Sequence, residues 1–164
     1  MPGSKSGVSE KAAAPSAHRA TLREQLEKAA KGILFPSESD FPLQFFTLPA
    51  GDVAALDLQA FLGRLGLSEE LTQDFGVPLS SWAEERPFDG FFPSIEEIAA
   101  SHGTTADDPQ VIAESKKLRK LEALVKRRLR DVKVFRVGRV EIRCYIAGLY
   151  KKEITGLVTT AIET

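Results

Sequence analysis

The sequence is poor in the residues from which stapled folds and common catalytic sites are built. It has one cysteine, Cys144, and two histidines, His18 and His102. A single thiol cannot close an intramolecular disulfide, which agrees with a reducing compartment, and these three side chains fall short of a zinc ligand set. Its apolar runs stay well below the roughly 18 consecutive residues of a membrane span, and the N-terminus has no apolar core suited to a secretory signal. These absences predict a cytoplasmic chain with no membrane partner. There is no Gly-rich phosphate loop, no GxSxG and no HExxH, and neither histidine has an evident acid partner, so no motif supports a site assembled from Ser39, His102 and Asp40. No enzymatic activity is expected.

Basic residues are missing from one long stretch. From Leu34 to Glu114 fifteen acidic residues face only Arg64 and Arg86, whereas Lys116, Lys117, Arg119, Lys120, Lys126, Arg127, Arg128 and Arg130 are opposed by Glu122 alone. The net charge of -1 conceals this division. It predicts a strongly acidic part of the surface, attractive to a basic partner and repellent to nucleic acid, beside one basic helix.

What the chain does have is ordinary globular material. With 164 residues, 43% hydrophobic and 27% charged, it supports one domain with a full core. Residues 1–17, rich in Gly, Ser, Ala and Lys, read as a disordered tail ahead of a domain over 18–164. A helix is predicted from Ala17 to Lys31, with Leu22, Leu26, Ala29 and Ala30 at helical spacing and Gly32 behind it. The run Leu43–Leu48 reads as a strand. Asp57 is placed to cap a short helix carrying Leu58, Phe61, Leu62 and Leu65 on one face, closed by Gly66.

Gly76, Pro78, Pro87, Gly90 and Pro93 predict irregular chain from Thr72 to Pro93. Its Trp82, Phe88, Phe91 and Phe92 form a satellite cluster under the loops, or Trp82 beside Glu84 and Glu85 is a contact anchor. Ser94 opens a short helix to Ser101. Asp108-Pro109 opens a long one to Arg130, because Asp108 can accept from free N–H groups and Pro109 needs no donor in the first turn. Leu118, Leu121, Val125 and Leu129 make its core stripe. Three strands follow, over Val132–Val137, Val140–Gly148 and Ile154–Ile162, with Cys144 as an inert residue on the apolar face. Together these elements predict an α+β domain with a mainly antiparallel sheet, whose C-terminal Thr164 is held just beyond a strand.

Between the first helix and the first strand, Ile33-Leu-Phe-Pro-Ser-Glu-Ser-Asp-Phe-Pro42 sets four polar residues between apolar flanks. Pro36 and Pro42 fix φ and bias the residues before them toward extended geometry, so Ser37, Glu38, Ser39 and Asp40 occupy a loop. Those residue types suit a capped turn as well as a contact surface.

The run Leu34–Pro42 resembles the LF-x-SES-acid-aromatic-Pro motif of the nuclease A inhibitor family. The far end is similar too: Asp131–Gly138 followed by Val140-Glu141-Ile142, Tyr145-Ile146 and Gly148 resembles the family's hairpin, and Gly156-Leu157 through Ile162-Glu163-Thr164 its closing strand. The resemblance implies an α-β-α sandwich like that of plant pathogenesis-related proteins, acting on a sugar-nonspecific, Mg-dependent ββα-metal nuclease. It further implies that Glu38 enters the nuclease site in place of a scissile phosphate, and that Thr164 reaches the catalytic Mg, which the nuclease supplies. The inhibitor brings no cofactor of its own and is a monomer when free. Ser37, Ser39, Asp40, Asp107, Thr160 and Glu163 complete the implied partner-binding set. A second family contact uses an Asp-Trp pair before the long helix, where this chain reads Thr105-Ala106-Asp107-Asp108; either Asp107 retains part of that contact or the partner differs. The rival reading from another class is a nucleic-acid-binding module on the basic face from Lys116 to Arg130, which lacks interleaved aromatics for stacking; a same-fold interaction domain with another partner is the third.

Overall fold

The computed structural model describes residues 21–35, 41–51, 55–66, 83–139 and 141–162. Helix α1 (Leu22–Ala30) starts at a reciprocal cap, in which the Thr21 hydroxyl accepts from the Glu24 N–H and the Glu24 carboxylate accepts from the Thr21 N–H. The tail expected over 1–17 and the helix start expected at Ala17 lie outside the described residues. Two short strands, β1 (Leu34–Phe35) and β2 (Phe41–Pro42), pair with each other, and β3 (Gln44–Pro49) follows one residue later than the sequence predicts.

Helix α2 (Leu58–Arg64) is capped by Asp57, whose carboxylate accepts from the Ala60 N–H at 2.8 Å. Helix α3 (Ile95–Ser101) opens on the Ser94/Glu97 capping box, and α4 (Pro109–Arg128) on Asp108 with proline in its first turn, as expected. The long helix stops at Arg128 rather than Arg130. Leu129 adopts extended geometry and is buried, so Arg130 already belongs to the next strand.

The segment expected to be irregular contains a strand, β4 (Ala83–Pro87). Sequence pattern hides it because only Ala83 is buried, while Glu84, Glu85 and Arg86 are exposed on a sheet edge. Its pairing with β5 (Arg130–Val137) is reinforced by charge, since Glu84 faces Arg136 at 3.0 Å and Glu85 lies 3.8 Å from Lys133. Proline at its end is tolerated where no further strand needs the N–H. The aromatic residues beyond it are not a satellite cluster. Phe88 and Phe92 are buried edge-to-face and join the main core with α1, α3 and α4.

Strands β6 (Glu141–Tyr150) and β7 (Glu153–Ile162) complete an antiparallel five-stranded sheet in the order β3-β7-β6-β5-β4. Their register divides the side chains between two faces. Ile142 opposite Ala161, Cys144 opposite Thr159 and Ile146 opposite Leu157 lie on the side where Leu26, Leu121 and Val125 pack; Tyr145 opposite Val158, Ala147 opposite Gly156 and Leu149 opposite Ile154 lie on the side of Phe61. Helices therefore cover both faces, and the chain is an α+β sandwich. Gly156 is required by closeness rather than by a turn: a Cβ there would sit 1.8 Å from the Ile146 carbonyl oxygen.

Candidate functional site

The frame of the polar segment is a small hairpin. Ile33 is buried and its N–H bonds to the Ala30 carbonyl at 3.0 Å, which ties the exit of α1 to the core before the chain extends. Pairing of Phe35 with Phe41 then returns the chain to its own start across residues 36–40. Ser37, Glu38, Ser39 and Asp40 themselves lie outside the described residues.

This hairpin is fastened to the last strand. The Thr159 hydroxyl donates to the Phe41 carbonyl at 3.2 Å, and Thr159 is only 4% exposed, so the bond is sheltered from competing water. From there β7 continues to Ile162, opposite Glu141; Glu163 and Thr164 lie outside the described residues. Thr160 points to the opposite face from Thr159 and stands directly across from exposed Arg143, whose guanidinium lies 5.9 Å from the Tyr145 ring centroid. Sequence reading names neither Thr159 as the fastening nor Arg143 as the neighbour of Thr160. Strand alternation identifies their faces but not the strand that each one meets.

Asp107 is exposed in the turn before α4. Its carboxylate accepts from the Thr105 hydroxyl, while Asp108 accepts from the Gln110 N–H at 2.8 Å and from the Thr104 hydroxyl at 3.3 Å. The two acids thus divide the work: Asp108 satisfies the helix start and Asp107 leaves one oxygen outside that cap. No Trp stands beside Asp107 in the sequence, where the family has its Asp-Trp pair. Trp82 is outside the described residues.

Many of the described charges have partners within the chain, which charge counting along the sequence does not reveal. Among the described acids, Asp57, Glu97 and Asp108 cap helices, Glu84 and Glu85 bridge to β5, and Glu114 meets His102 at 3.1 Å. Asp57, Glu84, Glu85 and Glu97 nevertheless stay exposed, so these caps and bridges order the carboxylates without removing their charge from the surface. The basic helix is engaged as well: Lys117 donates to the Lys31 carbonyl at 3.1 Å, Arg119 to the Pro93 carbonyl at 2.7 Å, and Arg128 to the Gln25 amide oxygen. Lys126 reaches Asp89 at 2.6 Å, and hydrogen bonding to that carboxylate holds its ammonium pKa above the ordinary lysine value. These contacts leave Lys116, Lys120 and Arg127 as a narrow exposed basic stripe on one face of α4, and the helix carries no aromatic residue on which a base could stack.

Among the described residues no group of His, Cys, Asp and Glu is arranged to hold a metal ion, and no helix is long and apolar enough to cross a membrane. A family model described as nuclease A inhibitor-like protein matches residues 20–164. No curated protein matches the chain.

Proposed function

Because the chain belongs to the nuclease A inhibitor-like family, we propose that it is a protein inhibitor that blocks the active site of a sugar-nonspecific, Mg-dependent DNA/RNA endonuclease of the ββα-metal class. It acts in the cytoplasm as a monomer until it meets the enzyme. The Glu38 carboxylate takes the place of a scissile phosphate, and the Thr164 hydroxyl approaches the Mg that the nuclease carries. Mg²⁺ prefers oxygen donors and keeps exchangeable waters, so such a group from outside can complete its shell.

The observation that best supports this reading is the bond from Thr159 to Phe41. It fastens the strand that follows residues 36–40 to the strand that leads toward Thr164, three residues before that strand ends at Ile162, so two parts of the sequence far apart in the chain run side by side. Asp107, Ser37, Ser39, Asp40, Thr160 and Glu163 are the supporting partner-binding residues of this reading.

Titration of a ββα-metal nuclease with the wild-type chain, Glu38→Gln and Thr164→Val tests it. Glu38→Gln removes charge while keeping shape and is expected to weaken inhibition by about 2 kcal/mol or more, the scale for losing one partner of a desolvated charged contact. Thr164→Val is expected to weaken inhibition with unchanged thermal unfolding. Equal inhibition by all three folded proteins would remove both residues from the site. Salt-sensitive retardation of DNA by the chain, with no inhibition, would favour the basic helix instead.

A further inference from the structure

A cavity of 710 Å³ opens between the start of α1, the edge strand β3, the turn joining β6 to β7 and the end of α4. This size is within the range of roughly 300–1,000 Å³ typical of small-molecule sites. It lies at the other end of β7 from Thr159, since Glu153 and Thr155 line it. Its wall includes Leu22, Phe45 and Tyr150, and on the sheet the hydroxyls of Thr47 and Thr155 bond to each other at 3.1 Å.

The charges around this cavity are unbalanced. Arg23 is paired with Glu27 at 3.4 Å, but among the described residues Arg128 bonds to the neutral Gln25 amide and Lys151 has no carboxylate within ion-pair distance. Both stand against the same half-buried ring, 5.9 and 5.3 Å from the centroid of Tyr150. Glu153 lines the same space without pairing with either. Lys151 is held there by the turn, at φ 55 in the left-handed region that non-glycine residues seldom occupy. The lining of one space thus offers two cations that an entering anion can meet.

We propose that this cavity binds a small organic phosphate with an aromatic, hydroxyl-bearing body, the class to which a nucleoside monophosphate belongs. The phosphate meets Arg128 and Lys151, the ring packs against Leu22 and the Arg23 guanidinium that lies 5.2 Å from the Phe45 centroid, and the threonine hydroxyls and Glu153 serve the body's polar groups. Arg128 is positioned for this by Gln25, whose amide oxygen takes one of its N–H groups and leaves the others available.

The test is calorimetric titration of the full chain at low salt with adenosine 5′-monophosphate, with inorganic phosphate and with adenosine, repeated on Lys151→Gln, Arg128→Gln and the exposed control Lys120→Gln. Saturable one-to-one binding of the monophosphate is expected, weakened about tenfold or more in Lys151→Gln and Arg128→Gln and unchanged in Lys120→Gln, the scale of one charge-assisted hydrogen bond. Adenosine and phosphate alone are each expected to bind at least about tenfold more weakly than the whole molecule. Absence of saturable binding, equal binding by inorganic phosphate, or an equal loss in Lys120→Gln would each overturn the proposal. Lys151 is exposed in a turn, so Lys151→Gln keeps the test valid if Arg128→Gln unfolds. Nuclease inhibition does not enter the readout, so this site and the inhibitory one stand or fall separately.

Discussion

The two faces of the sheet are covered by different means. On one, α1, α3 and α4 lay down a mainly aliphatic layer, joined by Phe88 and Phe92, in which Leu22, Leu26, Ile98, Leu118, Leu121 and Val125 share one cluster with Ile146 and Leu157, so contact is spread over many side chains. On the other, the seven-residue α2 centres on an aromatic knot, with Leu62 packing separately against Ala83 and Val137: the Phe61 ring stacks on Phe135 at 4.4 Å and meets Tyr145 and Phe46 edge-on at 4.9 and 6.3 Å. The first face is redundant and the second is concentrated. A helix that short has no independent stability, so its position depends on the knot and on what fixes its approach.

The largest effect is therefore expected from Phe61→Ala, which deletes the centre of the knot and should lower stability by about 3–5 kcal/mol. Leu26→Ala on the other face is expected to cost about 2–5 kcal/mol, toward the lower end because neighbouring aliphatic side chains can close in. Urea unfolding of both variants measures the pair. A larger loss for Leu26→Ala would break the contrast. The milder double variant Phe61→Leu/Leu26→Val sharpens it: the two cores share no side chain, so the losses should add to within about 0.5 kcal/mol.

The same contrast explains what was legible in the sequence. The aliphatic face announces itself, because Leu118, Leu121 and Val125 recur at helical spacing and Asp108-Pro109 marks where that helix must start. The caps at Asp57 and Ser94 were legible for the same local reason. Strand β4 was not, since an edge strand with one buried residue has no alternation to read, and its place is decided by Arg136 and Lys133 some fifty residues later. For the candidate site, residue types and resemblance singled out Glu38 and Thr164. The joining of their two segments through Thr159 and Phe41 is a long-range pairing that no local pattern encodes.

A polar clamp, also invisible to pattern, fixes the approach to α2. Asp131, at φ 53 in the irregular start of β5, accepts from the Leu56 N–H at 2.7 Å, Lys133 donates to the Leu56 carbonyl at 2.5 Å, and Glu85 accepts from the Leu58 N–H at 3.0 Å. Leu56 is fully buried, so its backbone groups need these partners. Asp131→Ala is expected to cost about 1–3 kcal/mol, by orphaning that N–H and by placing alanine in a left-handed conformation. Asp131→Asn keeps the acceptor and tolerates that conformation, so it should retain most of the stability. Equal losses in the two variants would show that charge, rather than the backbone bond, holds the clamp.

The smallest effect is expected where charge acts without burial. Lys126, in the last turn of α4, and Asp89, just beyond β4, meet at 2.6 Å, but their side chains are 51% and 83% exposed. Water and salt therefore screen the pair, and it should contribute far less than the sheltered clamp at Leu56. Its signature is in pH. The folded-state pKa of Lys126 is raised, chiefly by the hydrogen bond to Asp89, so the pair's contribution is fully present below the ordinary lysine pKa and is lost as pH rises through the raised value. Comparing unfolding midpoints of the wild type and Asp89→Asn from neutral to strongly alkaline pH tests this. The difference between them should be small and constant at neutral pH, shrink only on the alkaline limb, and fade in high salt throughout. A difference that grows with alkalinity would reverse the sign of the linkage. One as large as that of Asp131→Ala would mean that an exposed ion pair contributes as much as the clamp on the buried Leu56 backbone does.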